Sequence, residues 1–216
     1  MGLNKSELLR KRKNQTGWLL LLGLCLIVCL NAAETKTMVF FGDSITAGNG
    51  LDPDEAYPAL IQKKITDTGL PWRVVNAGLS GETTAGGLRR LDWILRQRVD
   101  LFIIELGGND GLRGIPPENS QANLLIMIDR VREKYPQAKL VLAGMQLPTN
   151  MGAEHTGKFA AIYPELAESN HLTLIPFLLE GVGGVPKLNQ ADGIHPTAEG
   201  HQIVAETVWE IMKPML

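Results

Sequence analysis

Apolar positions along the chain fall into two alternating patterns. Thr37-Met38-Val39-Phe40-Phe41, Arg73-Val74-Val75-Asn76, Leu101-Phe102-Ile103-Ile104-Glu105-Leu106, Lys139-Leu140-Val141-Leu142-Ala143 and Leu172-Thr173-Leu174-Ile175 are short runs with few or no polar interruptions. Such runs suit strands buried on both faces of a parallel sheet. Between them, apolar residues recur at helical spacing. Leu60, Ile61 and Ile65 share one side of residues 57–66, and Leu88, Leu91, Ile94 and Leu95 do the same further on. Leu124, Leu125, Ile128 and Val131 mark a third helix ending before Pro136. Phe159, Ile162 and Leu166 mark a fourth, expected to break or restart near Pro164. Ile203, Val204, Val208 and Ile211 face inward on a last helix over residues 196–213. This repeated strand–helix alternation predicts an α/β fold, a three-layer α/β/α sandwich on a five-stranded parallel sheet. The chain shows no internal repeat, linker or low-complexity segment.

The amino terminus breaks the pattern. Residues 18–30 are apolar throughout except for Gly23, a stretch of 13 residues. That is short of the ~20 residues a helix needs to cross a bilayer. Lys5, Arg10, Lys11, Arg12 and Lys13 against Glu7 give residues 1–33 a charge of +4. A basic start, a short apolar stretch and the small residues Ala32-Ala33 describe a secretory signal peptide cleaved after Ala33. An uncleaved anchor that contacts the membrane, or lipidation at Cys29, are the other readings of the same segment. The expected organisation is residues 1–33 as leader and residues 34–216 as one domain in the periplasm or cell envelope.

Composition sharpens this division. The 216 residues are 44% hydrophobic and 20% charged, which excludes an intrinsically disordered chain. A net charge of -2 leaves -6 for residues 34–216, which argues against a nucleic-acid partner. Both cysteines, Cys25 and Cys29, lie in the leader, so the domain carries no disulfide. No ligand spacing for a metal and no phosphate loop occur, so neither metal nor cofactor is expected. The domain is expected to act as a monomer.

In open α/β sheets, ligands bind beyond the carboxyl ends of the strands. Four unusual segments fall at or near that edge: Gly42-Asp43-Ser44, Ser80-Gly81-Glu82-Thr83, Gly107-Gly108-Asn109-Asp110 and Asp192-Gly193-Ile194-His195-Pro196. A serine hydroxyl is a weak nucleophile until a neighbouring base takes its proton. Histidine is the usual base near neutrality, and a carboxylate fixes its tautomer. Asp192 and His195, three apart across an Asp-Gly turn, can face each other. Pro196 keeps His195 out of helical geometry, in the loop before the last helix. Backbone N–H groups of Ser44 and Gly81 and the side-chain amide of Asn109 are candidate donors to an oxyanion. The lack of Gly-x-Ser-x-Gly around Ser44 excludes the nucleophile elbow of the α/β-hydrolases.

Taken in order, these four blocks resemble the SGNH, or GDSL, hydrolases, and among them the bacterial thioesterase, lysophospholipase and arylesterase group. The resemblance spans nearly all of residues 37–213 and implies a flavodoxin-like sheet. It implies Ser44 as nucleophile, His195 as base and Asp192 as its orienting acid. It implies an oxyanion hole of Ser44, Gly81 and Asn109, with the block-two glycine preceding the acid selecting Gly81 over Gly78. It also implies a substrate-binding loop, Gly111-Leu112-Arg113-Gly114-Ile115-Pro116. Glu82 stands where aspartate is commoner, and residues 49–55 differ from the group. The implied activity is hydrolysis of acyl esters and thioesters, lysophospholipids included.

The other readings weighed are a carbohydrate or peptidoglycan O-acetylesterase and a catalytically silent binding protein on the same fold. Leu112, Ile115 and Leu147 favour an apolar groove over an acetyl pocket. Asp43 and Asp110 are expected to be structural acceptors of loop N–H groups. Glu105 is expected to be a paired buried carboxylate. His155, His171 and His201 are expected at the surface or in packing, and Trp72 and Trp93 in the core.

Overall fold

The computed structural model describes residues 34–216. The leader, its cleavage point after Ala33, Cys25 and Cys29 lie outside the described residues. Five strands form one parallel sheet: β1 (Lys36–Gly42), β2 (Trp72–Gly78), β3 (Leu101–Glu105), β4 (Lys139–Ala143) and β5 (Thr173–Ile175), in the order β2-β1-β3-β4-β5. All four pairings are parallel, with Val39 opposite Val75 and Phe102 on either side of β1. The central strands are buried along almost their whole length, as their unbroken apolar runs require.

Among the described residues, seven α-helices accompany the sheet: α1 (Ser44–Ala47), α2 (Tyr57–Asp67), α3 (Thr84–Ile94), α4 (Gly108–Leu112), α5 (Pro117–Lys134), α6 (Ala153–Ser169) and α7 (Ala198–Met212). Helix α2 packs against α7, whereas α3 packs on α5 and α5 on α6. The core between the layers is aromatic at its centre, where Phe41 meets Phe102 at 5.5 Å and Phe40 meets the edge of Tyr57 at 5.4 Å. Truncating one such ring to alanine costs about 3–5 kcal/mol in lost burial and cavity. Among the described residues, no helix is long and apolar enough to cross a membrane.

Several expectations change. The short helices α1 and α4 replace expected loops after β1 and β3; helices of four and five residues are too short for a periodic signal. Helix α6 runs unbroken through Pro164, because the proline is exposed and its missing hydrogen bond faces water. Leu125 and Trp93 are exposed, at 37% and 65%, rather than in the core. Met127 takes the inward place on α5 instead. The last helix starts at Ala198, capped by the Thr197 side chain accepting the Gly200 N–H, two residues after Pro196.

Candidate active site

The strand order reverses direction between β1 and β3, which opens a crevice beyond their carboxyl ends. Ser44 follows β1 directly as the first residue of α1, and Asn109 follows β3 on α4. Both therefore meet at that crevice, although they are 65 positions apart in the sequence. As first residue of its helix, Ser44 has a backbone N–H with no acceptor inside α1.

His195 arrives from the loop before α7. Its Nε2 lies 2.8 Å from Ser44 Oγ, and its Nδ1 lies 2.6 Å from Asp192 Oδ2. These distances suit a hydroxyl proton donated to Nε2 and an Nδ1–H donated to the carboxylate. The other Asp192 oxygen accepts the N–H groups of Ile194 at 2.9 Å and His195 at 3.0 Å. Gly193 supplies the left-handed turn, φ 69°, that lets the chain fold back on the aspartate. The hydrogen bond from His195, then those from the backbone, hold the Asp192 carboxyl down to about 2. The expected Ser44, His195 and Asp192 are thus brought into one hydrogen-bonded line.

The expected oxyanion donors come from the two flanking strands. Asn109 Nδ2 donates to Asp43 Oδ2 at 3.0 Å, which leaves its second N–H for another acceptor. Gly81 has φ 78°, and its carbonyl accepts Arg113 Nη2 at 3.0 Å. Asp110 ties the two donor loops together: it accepts the Thr84 N–H at 2.8 Å and the Thr84 hydroxyl at 2.5 Å. Thr84 opens the helix that follows Gly81, so α4 and the Gly81 loop are fixed to one another.

Gly107 shapes the approach to α4. Its φ of 118° is closed to ordinary side chains, and a β-carbon there would fall 2.4 Å from the Tyr163 hydroxyl.

A cavity of about 550 Å³ opens beside Ser44, Asn109 and His195. Apolar side chains of Leu112, Met145, Leu147, Phe177, Leu179 and Ile194 line it, together with the polar Gln146, Thr149, Asn150 and Asn189. Of the expected substrate loop, Leu112 lines this cavity. Gly111, Arg113, Gly114, Ile115 and Pro116 do not belong to its wall. Gly111 instead packs against Leu147, and Arg113 reaches away to Gly81. Much of the wall comes from the segment after β4 and from residues 177–189, which carry no motif; of these residues only Leu147 was expected beside the site.

Sequence reasoning missed two supports and placed a third only in outline. Arg90 pairs with Glu82 and donates to the carbonyls of Gly42 at 3.1 Å and Ala77 at 2.8 Å, locking the ends of β1 and β2 together. Asn76 donates to the Thr46 carbonyl at 2.8 Å, fixing α1 to β2. Beneath Ser44 lies Glu105, fully buried. It accepts the Asp43 N–H at 3.1 Å and the Thr46 hydroxyl at 2.7 Å, and has no cationic partner among the described residues. Glu105 is buried as expected, and its partners are hydrogen-bond donors rather than a cation. Burial, then the charge of Asp43, pushes its carboxyl well above the usual range. His201 is buried, as expected for packing, but has a partner: its Nδ1 accepts the Tyr57 N–H at 3.1 Å. Among the described residues there is no cluster suited to a metal ion.

The chain is similar to known proteins over most of its length. The model of the GDSL-like lipase/acylhydrolase family matches residues 40–203. Esterase TesA of Pseudomonas aeruginosa is 45% identical over 194 residues, 89% of this chain and 96% of that protein. An arylesterase of Vibrio mimicus is 38% identical over 87% of this chain and 94% of its own length. Thioesterase 1/protease 1/lysophospholipase L1 of Escherichia coli K12 is 35% identical over 88% of this chain and 89% of its own. The crystal structure of TesA superposes with a TM-score of 0.80 at 46% identity, over 84% of this chain and all of that one.

Proposed function

The chain belongs to the GDSL-like lipase/acylhydrolase family, and on that premise we propose that Ser44, His195 and Asp192 carry its ester hydrolysis. The protein is a serine esterase acting on carboxylic esters and thioesters. The observation that carries the residue assignment is the continuous line Ser44 Oγ–His195 Nε2 at 2.8 Å and His195 Nδ1–Asp192 Oδ2 at 2.6 Å.

The steps follow from these contacts. Ser44 Oγ attacks the acyl carbon as its proton passes to His195 Nε2. The carbonyl oxygen becomes an anion facing the Ser44 N–H, the Gly81 N–H and the free N–H of Asn109. Collapse breaks the bond to the alcohol or thiol, which takes the proton from His195. Water then attacks the acyl-enzyme, losing a proton to His195, and Ser44 leaves with that proton as the carboxylic acid is released. Asp192 fixes the imidazole tautomer and stabilises its charged form throughout.

The apolar cavity wall supports an acyl chain rather than an acetyl group as the part of the substrate held beside Ser44. Export by the leader would bring phospholipid-derived esters within reach. Purified residues 34–216 assayed on p-nitrophenyl esters from acetate to palmitate test both points. Activity should rise beyond acetate, and Ser44→Ala should lose at least about 10³-fold in kcat, the cost of removing a catalytic serine. Equal rates for the two proteins would reject the serine assignment, and activity confined to acetate would favour the O-acetylesterase reading. For the leader, the mass of the exported protein should correspond to residues 34–216.

A further inference from the structure

We propose that Asp43 is a positioning residue for ester cleavage, whose carboxylate sets the orientation of the Asn109 amide and so aims its free N–H at the oxyanion. The proposal rests on the reading of Asn109 as an oxyanion donor. Asp43 immediately precedes the nucleophile and is 2% exposed. Its Oδ1 accepts the Ile45 N–H at 3.0 Å, capping α1. Serine or asparagine would cap a helix equally well without burying a charge. The second oxygen explains the choice of carboxylate: Oδ2 accepts Asn109 Nδ2 at 3.0 Å.

An asparagine amide can turn over, exchanging its oxygen and nitrogen. A turned-over Asn109 would present its oxygen both to the carboxylate and, on the far side, lose the N–H that a developing anion needs. An ionised carboxylate is acceptor-only, so it admits only the NH2 face. It thereby fixes which side of the amide points into the crevice. Glu105 holds the Asp43 N–H from β3. Burial pushes the Asp43 carboxyl up to about 6, while the Ile45 N–H and the Asn109 amide favour its charged form, which prevails above that pH. The charged and titratable groups facing Asp43 are Glu105, Asp110 and His195, with the hydroxyls of Tyr57 and Tyr163. His195 is the cation formed during turnover, so the Asp43 charge also favours that state.

The test is a double-mutant cycle with a medium-chain p-nitrophenyl ester, with active sites counted by burst titration using a phosphonate ester. Asp43→Asn keeps the α1 cap but sets an NH2 group against Asn109. It should lower kcat by about 10–100-fold, part of the 10²–10³ that loss of a whole oxyanion donor costs. KM should stay within about twofold. In the Asn109→Ala background the same change should cost less than about threefold, because the residue it acts through is gone. An equal factor in both backgrounds, a loss confined to KM, or no loss at all would overturn the proposal. Asp43→Ser, which caps without reaching Asn109, repeats the cycle if Asp43→Asn does not fold. Full activity of Asn109→Ala alone would instead reject the oxyanion reading beneath it.

Discussion

Asp192 works through both of its oxygens, one on the His195 ring and one on the two backbone N–H groups that shape its turn. Its folded carboxyl is held at about 2, below the ordinary 3.8. The stability linked to that shift is therefore present above about pH 3.8 and lost as pH falls toward 2. From pH 5 upward Asp192 stays ionised, and acid loss of activity in that range comes from other groups. Asp192→Asn should lower kcat by about 10³–10⁴-fold, because the amide can turn its NH2 to the imidazole and select the wrong tautomer. Its thermal midpoint should move by only a few degrees, since the carboxylate is 44% exposed. Steady-state kinetics beside a thermal melt separate the two effects; a large drop in midpoint with unchanged kcat would contradict this role.

At the scale of elements, Pro164 shows where packing overrides a local rule. The helix around it keeps Phe159, Ile162, Tyr163 and Leu166 buried, and this face holds α6 together across the missing hydrogen bond. Pro164→Ala should raise stability by about 1–2 kcal/mol in urea unfolding, the restored helical bond being partly offset by a freer unfolded chain. Gly107→Ala should act in the opposite sense and lower stability by about 2–4 kcal/mol, through its φ of 118° and the collision with Tyr163. The same contrast describes what the sequence made legible. The strands were readable because the three central ones are apolar runs buried almost throughout, and β4 matched its expected bounds, while the edge strands β2 and β5 are only partly buried. The proposed catalytic residues Ser44, His195 and Asp192 were readable because each sits in a short motif at a strand or helix end. The cavity wall was not: Met145, Phe177 and Leu179 are ordinary apolar residues that only the return of the chain after β4 and β5 gathers in one place. The Asp43–Asn109 bond joins the starts of α1 and α4 across 66 positions, and no local pattern announces such a contact.

At the scale of the molecule, two buried groups oppose each other in their response to pH. His201 is neutral in the fold, with its pKa lowered by burial from 6.5 to about 4. Its contribution to stability is present above pH 6.5 and is lost as pH falls toward 4. Glu105 has the reverse sign: a raised carboxyl stabilises fully below 4.5 and progressively less as pH rises. His201→Asn, which keeps an acceptor for the Tyr57 N–H, should lower the thermal midpoint at pH 7.5 yet flatten its decline between pH 6.5 and 4.5. An unchanged acid slope would remove His201 from that response. The central claim concerns one atom of the domain, the Ser44 hydroxyl oxygen. Its most direct test is covalent labelling with an alkyl phosphonate ester, followed by mass mapping. One equivalent per chain should attach to Ser44, with labelling abolished by Ser44→Ala and slowed at least about 10²-fold by His195→Ala. Stoichiometric labelling at any other residue, or equal labelling of Ser44→Ala, would contradict it.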